Sequence, residues 1–452
     1  MDICFISLGC DKNLVDGEMM VTSLKKAGHN IVYNAEEADI IVVNTCCFIG
    51  DAKEESINTL IEMAAYKENG KCRLLVATGC LAQRYHKEIK EELPEVDVII
   101  GTTAYESLAE SIKKALEDIH GKDCAVKSSN VVESLRSTDY LPVPYEDREA
   151  VTGGGHAYLK IAEGCDKCCT YCIIPSVRGK YRSIPAENLV KQAKNLVAKG
   201  ISEIILVAQE TTLYGKDIYG KESLPELLYK LSEIEGLKWI RVLYCYPEEI
   251  TDSLIDAIKN LPKVCHYLDI PVQHGSDRIL KLMGRRTDRA QLEEIIEKLR
   301  KNIKDIVLRT TIITGFPGET EKDFEELKDF IIKAKFDRLG VFTYSQEEGT
   351  PAAKMPGQVP EDVKEARRNE IMEIQQGIAF EKSQSLIGME MDVIVCGYLP
   401  EDEVYICRTY MDAPDVDGYV FIPSGWQLMS GDFIKVKITG SEGYDLVGEV
   451  VN

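Results

Sequence analysis

No run of this 452-residue chain is apolar and long enough to span a bilayer, and its first twenty residues already carry Asp2, Asp11, Lys12, Asp16 and Glu18. Neither a membrane anchor nor a secretory leader is expected. Positive charge is scarce: 54 Lys and Arg stand against 75 Asp and Glu, a net of −21. That sign repels phosphate backbones, so a nucleic-acid substrate would need a local basic patch; solubility is the plainer consequence. The 15 cysteines are an odd number without a leader, which argues against a disulfide framework and for free thiols in a reducing cytoplasm. No second CxxC pair and no Cys/His pair accompanies the cysteine cluster described next, and zinc sites favour such pairs. At this length two to four domains are expected, and 44% apolar residues support globular folding.

What is present is concentrated sulfur. Cys165, Cys169 and Cys172 form a CxxxCxxC cluster in Gly164-Cys-Asp-Lys-Cys-Cys-Thr-Tyr-Cys172. A 4Fe–4S cubane normally takes four thiolates, so three leave one iron open for a small ligand, for which S-adenosylmethionine is the best candidate. Cys168 offers a competing CxxCxxxC frame with Cys165 and Cys172, and spacing alone does not decide between them.

Residues 1 to 120 read as a parallel α/β domain. Apolar runs at 3–7, 39–44, 73–78 and 96–101 alternate with helical stretches near 15–27, 51–67 and 104–119. Cys10, Cys46 and Cys80 each follow one of the first three strands. Parallel strands deliver their carboxyl ends to one edge, where ligands bind, so these thiols are expected to meet around a second cluster. Cys47 is a rival to Cys46, although its side chain would point the other way if the strand continued. Cys4, Cys72 and Cys124 read as small packing residues.

Residues 121–155, with two prolines at 142 and 144 and glycines at 153–155, read as a linker. A second α/β array follows over 156–384. Its strand-like runs at 157–162, 203–208, 239–244, 266–270, 306–313 and 338–344 predict a partial (β/α)6 barrel, with the cysteine motif in the loop after the first strand. Gln209, Glu210, Gln273, His274 and Gly315 fall at strand ends of the same mouth. For Glu210, His274 and Arg309 a strand-end salt bridge is an equal alternative to a ligand role. Gly315-Phe-Pro-Gly318 lacks the Walker lysine, and Thr320 with Asp323 reads as a helix cap. After a helix over 360–386, alternating runs in 385–452 predict a small all-β barrel.

These elements resemble the radical S-adenosylmethionine methylthiotransferases over essentially the whole chain. The matching passages are Ser7-Leu-Gly-Cys-Asp-Lys-Asn-Leu-Val-Asp16, Asn44-Thr-Cys46, Thr78-Gly-Cys-Leu81 and Gly164 to Pro175 followed by Arg178-Gly179, in family order. The resemblance implies a radical cluster on Cys165, Cys169 and Cys172 and an auxiliary 4Fe–4S cluster on Cys10, Cys46 and Cys80. Tyr171 would lie beside the cofactor adenine, and Gln209, Glu210 and Gln273 would contact S-adenosylmethionine. Gly17, Cys47 and Cys168 depart from the family pattern, and the two spare thiols could misligate.

The family has one branch acting on transfer RNA and another acting on an aspartate of small-subunit ribosomal protein S-twelve. Tyr267 to His274, Tyr344 to Thr350 and Arg408 to Gly418 resemble the protein-modifying branch. The carboxyl-terminal part, which resembles a TRAM module, agrees: 12 acidic against 3 basic residues over 386–452 give −9, unfavourable for transfer RNA and attractive to a basic ribosomal protein. Asp412, Asp415 and Asp417 are the expected substrate contacts. The resemblance further implies hydrogen removal from the aspartate β-carbon and methylthio transfer from the auxiliary site, an electron donor such as flavodoxin or ferredoxin, and a cytoplasmic monomer.

Overall fold

The computed structural model describes residues 1–120, 131–142 and 147–451. Two compact units result: one joins Met1–Ala150 to Glu163–Lys167 and Cys172–Arg182, and the other joins Val151–Ala162 and Cys168–Tyr171 to Ser183–Asn452. Cys124 lies outside the described residues.

The first unit is a parallel sheet of Asp2–Ser7 (β1), Asn30–Val32 (β2), Ile40–Thr45 (β3), Leu74–Gly79 (β4), Val98–Ile100 (β5) and Val132–Ser134 (β6), in the order β2-β1-β3-β4-β5-β6. The central strands β3 and β4 are buried at every position. Their sequences are accordingly continuous runs rather than alternations, because helices cover both faces of a parallel sheet. Strand β6 corrects the linker reading of 121–155. Three residues, Val132, Glu133 and Ser134, pair with Val98, Ile99 and Ile100, too short a run for periodicity to register. The last part of that segment also reaches back to the first helix, Asp11–Lys26, where the buried Arg148 pairs with Glu18.

The second unit opens with a six-stranded sheet: His156–Lys160 (β7), Glu203–Val207 (β8), Trp239–Val242 (β9), Val264–Asp269 (β10), Val307–Thr314 (β11) and Arg338–Thr343 (β12). All neighbours are parallel and sequential, from β7 at one edge to β12 at the other, the arrangement of a partial (β/α)6 barrel. After the helix Glu361–Ser385 come Glu390–Leu399 (β13), Val404–Thr409 (β14), Val420–Pro423 (β15), Phe433–Glu442 (β16) and Asp445–Val450 (β17), closed as β13-β14-β15-β17-β16.

Charge ties this small barrel to the parallel sheet. Glu203, fully buried, accepts from Arg241 Nε at 2.9 Å and from Arg408 at 2.6 Å. Burial opposes its ionisation, but Arg408 and Arg241 outweigh that and hold its carboxyl down to about 2. Arg241 also donates to the Tyr410 carbonyl at 2.7 Å and stacks 4.7 Å from the Tyr267 ring centroid. Beside this network the buried His156 finds, among the described residues, no hydrogen-bond partner on either ring nitrogen. Burial first, then Arg408, press its pKa from 6.5 to about 4, so the folded chain holds it neutral.

Two outcomes follow. Glu203→Ala leaves two buried guanidiniums uncompensated and should lower the unfolding free energy by about 3–5 kcal/mol in denaturant titrations. The His156 contribution to stability is complete above pH 6.5 and is lost as pH falls from there to about 4, where the unfolded chain protonates first. Unfolding midpoints should drop across that window, and His156→Phe should flatten the drop; equal slopes in both proteins would contradict the assignment.

Candidate cluster sites

In the first unit, three strand ends present their thiols from one edge. Gly9, at φ +88°, carries the chain past Cys46 so closely that a Cβ on it would stand 2.7 Å from the Cys46 Cβ and 2.9 Å from its Sγ. Cys10 then caps the helix Asp11–Lys26, whose dipole turns its positive end toward the thiol. Cys46 follows β3 and is buried; its N–H donates to Ser56 Oγ at 2.9 Å. Cys80 opens the helix Cys80–Arg84 directly after Gly79, where φ is +91° and a Cβ would meet the Thr45 carbonyl at 2.5 Å. Polar side chains lace the strand ends together. Asn13 Nδ2 donates to the Leu8 carbonyl at 2.6 Å and the Thr45 carbonyl at 3.2 Å, while Asn44 Nδ2 donates to the Asn13 carbonyl at 2.8 Å.

The electrostatics of these thiols fit a cationic cluster. Burial pushes the Cys46 thiol up and the Cys10 charge adds to that; burial does the same at Cys80, where Arg178 opposes it and Cys47, Cys46 and Cys10 reinforce it. Thiols close enough to resist each other's ionisation can ionise together only beside positive charge, which iron supplies. Among the described residues no three His, Cys, Asp or Glu side chains are set to hold a single metal ion. Cubane thiolates each take a different iron, so single-ion spacing is not what such a site requires. Cys47 lies in the hydrophobic core with Leu81 and Ala82, as do Cys4 and Cys72, which favours Cys46 as the ligand.

The CxxxCxxC loop contributes to both units. Cys165 and Cys172 belong to the first, Cys169 to the second. Cys165 is buried; its N–H donates to the Gly179 carbonyl at 3.1 Å and its Sγ accepts from the Lys167 N–H at 3.4 Å. Cys169 is buried with its Sγ 3.7 Å from Tyr246 Oη and 3.9 Å from Arg285 Nη1. Arg285 stacks 4.4 Å from the Tyr246 ring centroid and donates to the Pro271 carbonyl at 2.9 Å. Cys168 is exposed, and its carbonyl lies 2.9 Å from where a Cβ on Gly284 would sit. Burial and a cationic neighbour therefore favour the Cys169 frame. Arg285 and Tyr246 were not singled out from the sequence, because an arginine and a tyrosine in separate loops carry no motif.

The remaining expected contacts divide. Tyr171 packs edge-on against Phe316, with ring centroids 6.4 Å apart, in a cluster with Ile279, Met283 and Tyr344. Gln273 holds the left-handed backbone at φ +73°, a strain a non-glycine residue keeps only under constraint. Its N–H donates to Thr311 and its carbonyl accepts from Ile313, fixing it to β11. Glu210 is buried and accepts from Thr212 Oγ1. His274, equally buried, accepts the Ser276 N–H at Nδ1 and stands 3.3 Å from Glu319, which also pairs with Arg367. Arg309 pairs with Asp269 at 2.9 Å. The salt-bridge alternative thus describes Arg309. Thr320 and Asp323 form a reciprocal capping box.

Asp412 and Asp417 do not face substrate, which corrects the sequence reading. Asp412 is buried against Arg338 at 2.5 Å, and the Asp417 carboxylate accepts from Tyr267 Oη at 2.7 Å beside Arg309 at 3.6 Å. They belong to the charge network that fastens the small barrel, whereas Asp415 alone of the three is exposed. A turn rich in aspartate reads the same from sequence whether its carboxylates point out or in.

Comparison with known proteins bears on the whole chain. The description Uncharacterized protein family UPF0004 matches residues 2–101, the Radical SAM superfamily matches 159–331, and the TRAM domain matches 387–451. Ribosomal protein uS12 methylthiotransferase RimO of Lachnoclostridium phytofermentans is 57% identical over 448 residues, 99% of each chain. RimO of Acetivibrio thermocellus is 50% identical over 99% of this chain and 98% of its own. The chain belongs to the RimO family. Solved structures add the fold: TsrM of Kitasatospora setae, a radical S-adenosylmethionine methyltransferase with cobalamin and a 4Fe–4S cluster bound, superposes with a TM-score of 0.57 at 13% identity over 78% of this chain and 76% of that one. OxsB, a cobalamin-dependent radical enzyme, gives 0.52 at 14% identity over 83% of this chain and 56% of that one.

As a RimO family member and radical enzyme, the chain uses S-adenosylmethionine and 4Fe–4S clusters. After anaerobic reconstitution, Cys168→Ala should retain wild-type iron and acid-labile sulfide, and Cys169→Ala should lose the share of one cluster. The opposite pattern would reassign the motif to Cys168.

Proposed function

We propose that this chain transfers a methylthio group to the β-carbon of an aspartate in ribosomal protein uS12. The observation that carries the reading is the second set of thiols, Cys10, Cys46 and Cys80, gathered at one sheet edge of a chain that also bears the CxxxCxxC loop. A radical initiator alone needs only the latter. The full-length similarity to RimO relatives supports the same substrate.

Cys165, Cys169 and Cys172 would hold the cluster that binds S-adenosylmethionine, and Cys10, Cys46 and Cys80 the auxiliary one. When bound, these cofactors supply the reducing electron, the radical and the sulfur. The chain supplies placement and shielding. Arg285 and Tyr246 cover the Cys169 sulfur and keep water from it. Gln273, pinned in a strained backbone beside β11, and the buried Glu210 are the polar groups offered at the strand ends. Among the described residues no helix is long and apolar enough to cross a membrane. The proposed enzyme is cytoplasmic, takes electrons from a flavodoxin or ferredoxin and acts as a monomer.

Substrate choice follows charge. With Asp412 and Asp417 internal, the exposed acids of the small barrel, Glu401, Asp402, Glu403 and Asp415 among them, carry the attraction for a basic protein. Purified uS12 incubated with reconstituted enzyme, reductant and S-adenosylmethionine should gain the mass of one methylthio group at an aspartate, and transfer RNA should gain none. Modification of transfer RNA with uS12 untouched would sink the proposal. Raising the salt concentration should weaken the apparent affinity for uS12, since exposed charges more than about 10 Å apart are screened at 0.1 M ionic strength.

A further inference from the structure

We infer that Arg178 is a positioning residue that fixes one thiol of each cluster relative to the other and sets the charge around the auxiliary site; the inference rests on the two-cluster reading above. Arg178 ends the short helix Ile174–Arg178, and its side chain is 4% exposed. Its guanidinium is used on every side. Nε donates to the Cys80 sulfur at 3.3 Å, Nη1 to Asp16 at 2.5 Å and to Glu163 at 3.2 Å, and Nη2 to Asn13 Oδ1 at 3.1 Å. Asp16 and Asn13 lie on the helix that Cys10 caps, and Asn13 also bonds the carbonyl just before Cys46. One side chain therefore touches the Cys80 sulfur and the supports of Cys10 and Cys46.

The next residue makes the second connection. The Gly179 carbonyl accepts the Cys165 N–H at 3.1 Å. The approach is close because Gly164 lacks a side chain: at φ +78°, a Cβ there would stand 2.1 Å from the Lys180 carbonyl and 2.5 Å from that of Gly179. Two consecutive residues thus hold Cys80 by its sulfur and Cys165 by its backbone. An ordinary buried ion pair would need one carboxylate. Here a single cation faces two carboxylates and a thiol, and only the planar fork of arginine reaches all of them at once; a lysine, with one point charge, cannot.

A cation against a thiolate favours the more negative, reduced state of the cluster it ligates. Arg178→Gln removes that charge, and Arg178→Lys keeps it without the fork. Wild type and both variants, reconstituted anaerobically, can be titrated with dithionite while each cluster's EPR signal is followed, and then exposed to a chelator. In Arg178→Gln the auxiliary signal should shift to lower potential with the radical-cluster potential unmoved, and auxiliary iron should be lost roughly tenfold faster, in the range for residues that support metal ligands. Arg178→Lys should restore most of the potential but not the iron retention, and it provides the same readouts if the glutamine variant does not fold. Two clusters whose potentials and iron retention ignore residue 178 would overturn the inference alone. A single cluster in the wild-type chain would remove the two-cluster reading, and the inference with it.

Discussion

Three thiols gathered at one edge of a parallel sheet are the constraint on which the first unit depends. Parallel topology brings Cys10, Cys46 and Cys80 to the carboxyl ends of adjacent strands, and burial makes ionisation of Cys46 and Cys80 unfavourable. The fold answers with one guanidinium, Arg178, and with the N-terminus of the helix Asp11–Lys26. Neither would neutralise three thiolates together with Asp16 and Glu163 were the thiols to ionise. We therefore read the edge as one that would take a further cation when the thiols ionise, and iron is a cation that thiolates hold well. Glycines at 9 and 79 are conditions of this arrangement, since any side chain at either would collide with the neighbouring strand end.

The second unit uses charge differently. Glu203, Arg241, Arg408, Arg338, Asp412, Arg309 and Asp417 form internal pairs that orient the small barrel on the parallel sheet. Buried pairs of this kind contribute modestly to stability, yet they penalise any arrangement that separates them. The acidity of the carboxyl-terminal part thus has two components, one spent inside on geometry and one left outside at Glu401 to Glu403 for a basic partner.

Much of this was legible in the sequence because the relevant signals are local. Strand ends followed by Gly-Cys or Thr-Cys, apolar runs at β3 and β4, and the three cysteines at 165, 169 and 172 are all short-range patterns. What escaped was long-range. Strand β6 has three residues and no periodicity, and its membership in the sheet is set by pairing with β5 rather than by its own composition. Asp412 and Asp417 looked like surface carboxylates until their partners, Arg338 and Arg309, were seen to arrive from strands about 75 to 110 residues away along the chain. Arg285 and Tyr246 meet Cys169 from two separate loops. The choice between Cys46 and Cys47 turned on which side chain enters the core, and an alternation argument supplied only a direction.

The central claim is that this one chain carries two distinct three-thiol sites. Mössbauer spectroscopy of iron-57-reconstituted protein, comparing the wild-type chain with one in which Cys10, Cys46 and Cys80 are all alanine, tests it most directly. The account predicts two 4Fe–4S clusters in the first and one in the second, with S-adenosylmethionine still perturbing the cluster that remains. Equal cluster content in both proteins, or loss of the S-adenosylmethionine response along with the auxiliary thiols, would contradict it.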